Sequence, residues 1–258
     1  MGKIISITNQ KGGVGKTTTA INISASLATA EKKVLLVDLD PQGNATSGCG
    51  IDRKTLKASI YDALIGNTTL NEIVLPTDLK YFQLIPAGID LIGAEIELIE
   101  VKKREYVLRH LLEPLRNEFS FIMLDCPPSL GLLTVNALTA ADSVIIPVQC
   151  EYFAMEGLSQ VLRTIDLVQK SLNSALTIEG IVLTMFDGRN NLSHQVADEI
   201  KGHFKDIVFK NVIPRNVALG EAPSHGKPII SYNITSRGAQ SYLGLALEVI
   251  KNEKKGPW

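Results

Sequence analysis

The chain is poor in cysteine: 258 residues hold three, Cys49, Cys126 and Cys150. The number is odd and no two stand as C-x-x-C. That argues against a disulfide framework or a zinc site and for a reducing compartment. No run of eighteen or more apolar residues occurs, so no transmembrane helix is expected. The first residues lack the charged segment, apolar stretch and small-residue cleavage site of a secretory signal. Net charge is almost absent, at −1, so any contact with nucleic acid needs a local basic patch. Linkers, repeats and low-complexity segments are missing too. What remains is ordinary globular composition, 45% apolar and 21% charged, in a length that suits one large domain. The reading is a single domain over residues 1–251 and a short polar tail at 252–258.

Short apolar runs recur along the chain: Ile4 to Thr8, Val34 to Val37, Phe82 to Ile85, Phe119 to Leu124, Val144 to Val148 and Ile178 to Thr184. They are continuous in apolar residues rather than alternating, which suits strands buried on both faces of a parallel sheet. Helical periodicity lies between them. Leu158, Val161, Leu162, Ile165 and Val168, for example, make one apolar stripe. The alternation predicts an α/β fold, a mostly parallel twisted sheet of about seven or eight strands with helices on both faces.

The strongest motif follows the first run. Asn9-Gln10-Lys11-Gly12-Gly13-Val14-Gly15-Lys16-Thr17-Thr18-Thr19 leads into a helical stretch carried by Ala20, Ile21, Ile23, Ala25, Leu27 and Ala28. Strand, glycine-rich loop and helix in that order form the context of a P-loop. Glycines turn successive N–H groups inward around phosphate oxygens, and the helix N-terminus adds partial positive charge. Lys16 reaches the β- and γ-phosphates, and the Thr17 hydroxyl ligates Mg²⁺. The usual pattern has glycine where this chain has Gln10, and a second lysine, Lys11, precedes Gly12-Gly13. A dinucleotide-binding loop fits less well, since Thr18 stands where the third glycine belongs after Gly13-x-Gly15.

Two further runs end in acids. Val34-Leu35-Leu36-Val37-Asp38-Leu39-Asp40 and Phe121-Ile122-Met123-Leu124-Asp125 would deliver carboxylates beyond the C-terminal strand ends, where ligands of open α/β sheets bind. Asp40 is assigned the attacking water and Asp125 the magnesium shell. Asp38 is either a second magnesium-shell group or a structural acid.

Lys11-Gly-Gly-Val-Gly-Lys-Thr-Thr, Val37-Asp-Leu-Asp-Pro-Gln-Gly-Asn-Ala-Thr and Leu124-Asp-Cys-Pro-Pro-Ser together resemble the deviant-Walker ATPases of the ParA/Soj branch. The likeness continues through Glu151 to Leu158, Ile213 to Val217 and Glu221 to Ile229, nearly the whole length. It implies that two protomers close around two Mg-ATP, forming a homodimer when ATP-bound, and that turnover is slow without a partner. Lys11 would reach across to the other subunit's phosphates, and Gly12 would sit at the contact. Pro214, Asn216 and Val217 match the segment that packs around adenine. The implied partners are non-specific double-stranded DNA and a ParB-type stimulating protein, with no stable membrane association. The expected location is cytoplasmic and nucleoid-associated.

DNA binding needs clustered cations. The candidates are Arg189, Lys201, Lys205, Lys227, Arg237 and Lys251, expected on one face of the dimer. Ala218 departs from relatives that often carry an arginine there. A MinD-like membrane-positioning ATPase shares the phosphate loop but ends in a basic amphipathic helix. Here Tyr242, Leu243, Leu245, Ala246, Leu247, Val249 and Ile250 look like packed core, and glycine and proline follow at Gly256-Pro257. An iron–sulfur reductase would need bridging cysteines, and Cys126 and Cys150 do not match that pattern. A ParA-like ATPase positioning some other cargo shares every motif.

Overall fold

The computed structural model describes residues 1–253. Seven strands form one sheet: β1 (Lys3–Ile7), β2 (Val34–Asp38), β3 (Leu75–Pro76), β4 (Phe82–Ile85), β5 (Phe121–Asp125), β6 (Ser143–Gln149) and β7 (Thr177–Thr184). Their order is β3-β4-β2-β5-β1-β6-β7, and every pair is parallel except β3 with β4. All five residues of β2 and of β5 are buried, which is why their sequences are apolar without alternation. The strand expected from Phe119 begins at Phe121, because the Phe119 N–H bonds back to Leu115 in the preceding helical turn.

The helices are α1 (Lys16–Thr29), α2 (Asn44–Gly48), α3 (Ile60–Leu64), α4 (Leu70–Ile73), α5 (Leu91–Glu97), α6 (Val107–Leu112), α7 (Leu132–Ala140), α8 (Ala154–Ser171), α9 (Asn191–Phe204), α10 (Val217–Glu221), α11 (Ile229–Tyr232) and α12 (Arg237–Glu253). They divide over the two faces of the sheet. One face packs α3 and α5 to α9 around Leu35, Ile122, Ile146 and Leu183. The other packs α1 and α10 to α12 around Ile5, Leu36, Met123 and Val182. Helix α1 is buried nearly all round, since α12 covers the side turned away from the sheet. Its Thr19 hydroxyl meets the Tyr242 hydroxyl of α12 at 3.1 Å, so neither buried oxygen is left alone.

Helix α12 runs through Glu253, so Asn252 and Glu253 are helical rather than part of the tail expected at 252–258. The rest of that tail, 254–258, lies outside the described residues. Tyr242, Leu245, Ala246 and Val249 of α12 are core, while Leu247 faces solvent. Among the described residues no helix is long and apolar enough to cross a membrane.

Candidate active site

Strand β1 lies between β5 and β6, and its neighbour across β5 is β2. The loop after β1 therefore opens beside the C-terminal ends of β2 and β5, where Asp38 and Asp125 stand in register. Several side chains hold this loop. Asn9 donates to the Pro147 carbonyl at 2.7 Å and accepts from the Lys11 N–H at 3.0 Å. Gln10 donates to the Thr164 hydroxyl of α8 at 3.1 Å. Gln10 is not among the residues with positive φ, so the loop does not need the usual glycine there. Gly13 and Gly15 do need it, with φ of +75° and +85°. From β7 the Thr184 hydroxyl donates to the Val14 carbonyl at 2.8 Å, which ties the loop to a third strand.

Helix α1 starts with no side-chain cap and no acid in its first turn. Its first N–H to find a backbone acceptor is Thr19, bonded to Gly15 at 2.9 Å. The earlier N–H groups and the positive end of the helix are thus available to an anion. Lys16 is buried and reaches back across the loop to the Lys11 carbonyl at 3.0 Å. Burial lowers its ammonium below the usual lysine range, and Asp125, Cys126 and Asp40 partly restore it.

Asp38 and Asp125 are both fully buried, and burial raises both carboxyls, Asp38 to about 6 and Asp125 well above the ordinary carboxylate value. Their surroundings differ. Asp38 accepts from the Thr46 N–H at 2.8 Å, the Thr46 hydroxyl at 2.7 Å and the Asp40 N–H at 3.1 Å. One of its oxygens holds Thr46 of α2 against β2, and the other accepts from the loop N–H of Asp40. Asp125 has two buried oxygens with no well-formed protein hydrogen bond, with Thr17 and Lys16 offsetting part of its shift. Two orphaned oxygens beside a hydroxyl and an ammonium, with Asp38 and Asp40 adding negative charge, are the surroundings a divalent cation satisfies. Among the described residues no group of three or more His, Cys, Asp or Glu side chains is placed to hold a metal ion.

Asp40 is nearly buried, and one of its oxygens accepts from the Gln42 N–H at 2.9 Å. The Gly43 N–H closes the turn on the Asp40 carbonyl at 2.8 Å. Arg53, from a separate 3-10 turn, donates to the Gln42 carbonyl and lies across Gly43.

On the other side of the loop is a cavity of about 230 Å³, lined among others by Gly15, Thr18, Met185, Pro214, Asn216 and Leu219. The Asn216 Oδ1 is buried there without a partner. Of the residues expected around a base, Pro214 and Asn216 line this cavity. Val217 does not: it opens α10 with its side chain 76% exposed. Ala218 packs against the core on the α10 side.

The six candidate DNA cations are all exposed, and they are carried by elements on both faces of the sheet. Lys201 sits on α9 over one face of the sheet, with Lys205 following it. Arg237 and Lys251 sit on α12 over the other face. Arg189 is held by Asp187, at 3.0 and 2.9 Å. Sequence reasoning missed Asn9, Thr184, Met185, Leu219 and Arg53. The rule that ligands gather at C-terminal strand ends would have found Thr184 and Met185. No local signal marks Arg53.

This fold and loop define a P-loop nucleotide-binding protein. A family described as "AAA domain" matches residues 2–178. The chain is 59% identical to the sporulation initiation inhibitor protein Soj of Bacillus subtilis over 252 residues, covering 98% of this chain and 100% of the relative. It is 58% identical to the chromosome partitioning protein ParA of Myxococcus xanthus, covering 98% and 89%. Among solved structures, the cobyrinic acid a,c-diamide synthase of Mycobacterium smegmatis with bound ATP analogue and magnesium matches with a TM-score of 0.87 at 38% identity, covering 100% of this chain and 98% of that one. The cell division ATPase MinD of Pyrococcus furiosus matches with a TM-score of 0.81 at 27% identity, covering 97% and 99%. The chain belongs to the ParA/Soj family of partition ATPases.

Proposed function

We propose that this chain is a Mg-ATP-dependent partition ATPase whose ATP-bound form is a nucleotide-sandwich homodimer. As that dimer it binds double-stranded DNA without sequence preference, and a ParB-type partner resets it by stimulating hydrolysis. The observation that carries the reading is one phosphate loop with two lysines in opposite situations. Lys16 is buried among acids, whereas the Lys11 ammonium has no hydrogen bond or ion pair among the described residues. A cation unused by its own chain, at the rim of a phosphate site, suits delivery to another chain's phosphates. Gly12 supports the same reading: a Cβ there would meet nothing within 4 Å in its own chain.

The residues then divide the work. Val14 to Thr18 surround the phosphates with N–H groups, and Lys16 lies along the β- and γ-oxygens. Asp125 and Thr17 would hold magnesium, which when bound screens the charge of those phosphates. Asp40 orients a water for attack on the γ-phosphorus and takes its proton, as the bond to the β-phosphate oxygen breaks. Asn216 Oδ1 accepts from the amino group of adenine. Asp40 is the one acid this reading assigns to the water, and turnover without a partner is slow. Dimerisation doubles the cationic surface, which compensates for its division within one chain. The dimer works on the nucleoid in the cytoplasm. Tyr242, Leu245, Ala246 and Val249 of α12 are packed in the core beside α1, which supports a reading without a lipid-binding helix.

The test is size-exclusion chromatography of Asp40→Ala with Mg-ATP, with and without duplex DNA at low salt. A dimer that co-elutes with DNA is expected. A monomer at saturating nucleotide would refute the reading.

A further inference from the structure

Asp40 hangs between two anchors. Upstream, its N–H donates to Asp38 Oδ1 at 3.1 Å. Downstream, α2 is pinned through the Thr46 hydroxyl, which donates to Asp38 Oδ2 at 2.7 Å and accepts from the Ala87 N–H at 3.0 Å. Pro41, Gln42 and Gly43 cross between these anchors, and Gln42 is exposed. Gln42 orients the acid, since its N–H donates to Asp40 Oδ1 at 2.9 Å. The Gln42 carbonyl is held in turn by the Arg53 guanidinium, which donates to it through Nη1. The Arg53 stem lies over Gly43, where an added Cβ would meet it at 2.5 Å. Arg53 stands there because Asp52 builds the turn that presents it. The Asp52 carboxylate accepts from the Lys54 N–H at 2.9 Å, and its carbonyl accepts from the Thr55 hydroxyl at 2.8 Å. One chain of bonds therefore runs from Arg53 at the surface through Gln42 to the nearly buried Asp40.

We infer that Arg53 is a positioning residue for hydrolysis, fixing through Gln42 the direction in which Asp40 presents its carboxylate. That role rests on the assignment of Asp40 to the attacking water, made above. With Oδ1 tied to the Gln42 N–H, the other oxygen of Asp40 accepts no hydrogen bond among the described residues and is the one left for the water. Freeing Gln42 would let that oxygen turn from the line of attack, and a misplacement of about 1 Å costs up to about 100-fold in rate. The turn keeps its other bonds, among them the Gly43 N–H on the Asp40 carbonyl at 2.8 Å, so the fold survives the loss of Arg53. Arg53 and Gln42 also line an open groove of about 910 Å³, where water replaces the missing donor and moderates the effect to about tenfold. Nucleotide binding is untouched, because Arg53 bonds to Gln42 and not to the phosphate loop. The loss therefore falls on kcat and spares KM.

Two variants of the full chain test the role. Arg53→Met keeps an apolar stem over Gly43 and removes the donors, whereas Arg53→Lys keeps a stem and a donor. Phosphate release against Mg-ATP concentration should give Arg53→Met a kcat about tenfold below the wild type, with KM within about twofold. Arg53→Lys should recover most of that rate. Melting curves, and light scattering with Mg-ATP, should match the wild type for both. An Arg53→Met variant that turns over at the wild-type rate overturns the role, and so does an Arg53→Lys variant as slow as Arg53→Met. A slower Arg53→Met that also melts lower or associates less overturns it too, since Arg53 would then serve the fold or the contact between copies. Asp40→Ala, measured alongside, separates the two layers. If Asp40→Ala hydrolyses ATP as the wild type does, the assignment of Asp40 falls and the role of Arg53 with it. If Asp40→Ala is inactive while Arg53→Met is unimpaired, the role of Arg53 alone falls.

Discussion

Asp38 and Asp125 stand at the same level on adjacent strands, both fully buried, yet Asp38 accepts three hydrogen bonds and Asp125 no well-formed one. One acid is satisfied by its own chain, and the other is not.

The first prediction concerns pH. Burial raises the Asp125 carboxyl in the folded state, so its protonated form is the one folding favours. A group raised on folding contributes stability below its unfolded value, near 4, and loses it as pH climbs through the folded value. Without nucleotide and metal, Asp125→Asn should therefore unfold at a higher temperature than the wild type at pH 8. The difference should shrink toward pH 5. The same variant should lose about 100-fold or more in Mg-dependent hydrolysis. Melting curves across pH decide the first point, and phosphate release the second.

The two lysines should separate in their effects. Lys16→Ala removes the cation inside the cradle and should abolish nucleotide binding by calorimetry. Lys11→Ala should leave ATP binding to the monomer intact and lower hydrolysis by about 10³-fold, the scale of a cation supplied in trans. Equal loss of binding in both variants would contradict the division of roles.

Two glycines should also behave in opposite ways. At Gly43, with φ of +59°, a Cβ would come within 2.5 Å of the Arg53 side chain and 3.0 Å of the Ala87 carbonyl. Gly43→Val should destabilise the fold by about 1–3 kcal/mol through strained backbone and crowding. Gly12→Val should melt close to the wild type and still bind ATP, yet fail to dimerise. Thermal melts paired with light scattering read out both.

The base pocket makes a specificity prediction. Asn216 Oδ1 is a buried acceptor in need of a donor, and the amino group of adenine supplies one. Asn216→Ala should weaken ATP binding by about 1–3 kcal/mol and narrow its advantage over GTP. Competition binding of the two nucleotides measures this.

Six strands were legible because β1, β2 and β4 to β7 are runs that must bury both faces. The edge strand β3 was not, since two residues, Leu75 and Pro76, carry no periodicity. Short helices such as α2, α4 and α11 escaped for the same reason: four or five residues complete barely one turn. The phosphate loop was readable because its chemistry is local in sequence. The hydrogen bonds of Asp38 were hidden from the sequence, since they depend on Thr46, brought back by α2. The division of the DNA candidates across the two faces was hidden as well, because it depends on which side of the sheet α9 and α12 cover. Arg53 reaches Gln42 from eleven residues away, through a turn that no motif announces.

The most direct test is light scattering of Asp40→Ala at saturating Mg-ATP, with nucleotide occupancy measured on the same sample. Full occupancy and a particle of twice the chain mass, lost on exchange to ADP, is the predicted result. Full occupancy of a particle with the mass of one chain would contradict the account, because Lys11 would then have no second phosphate site to reach.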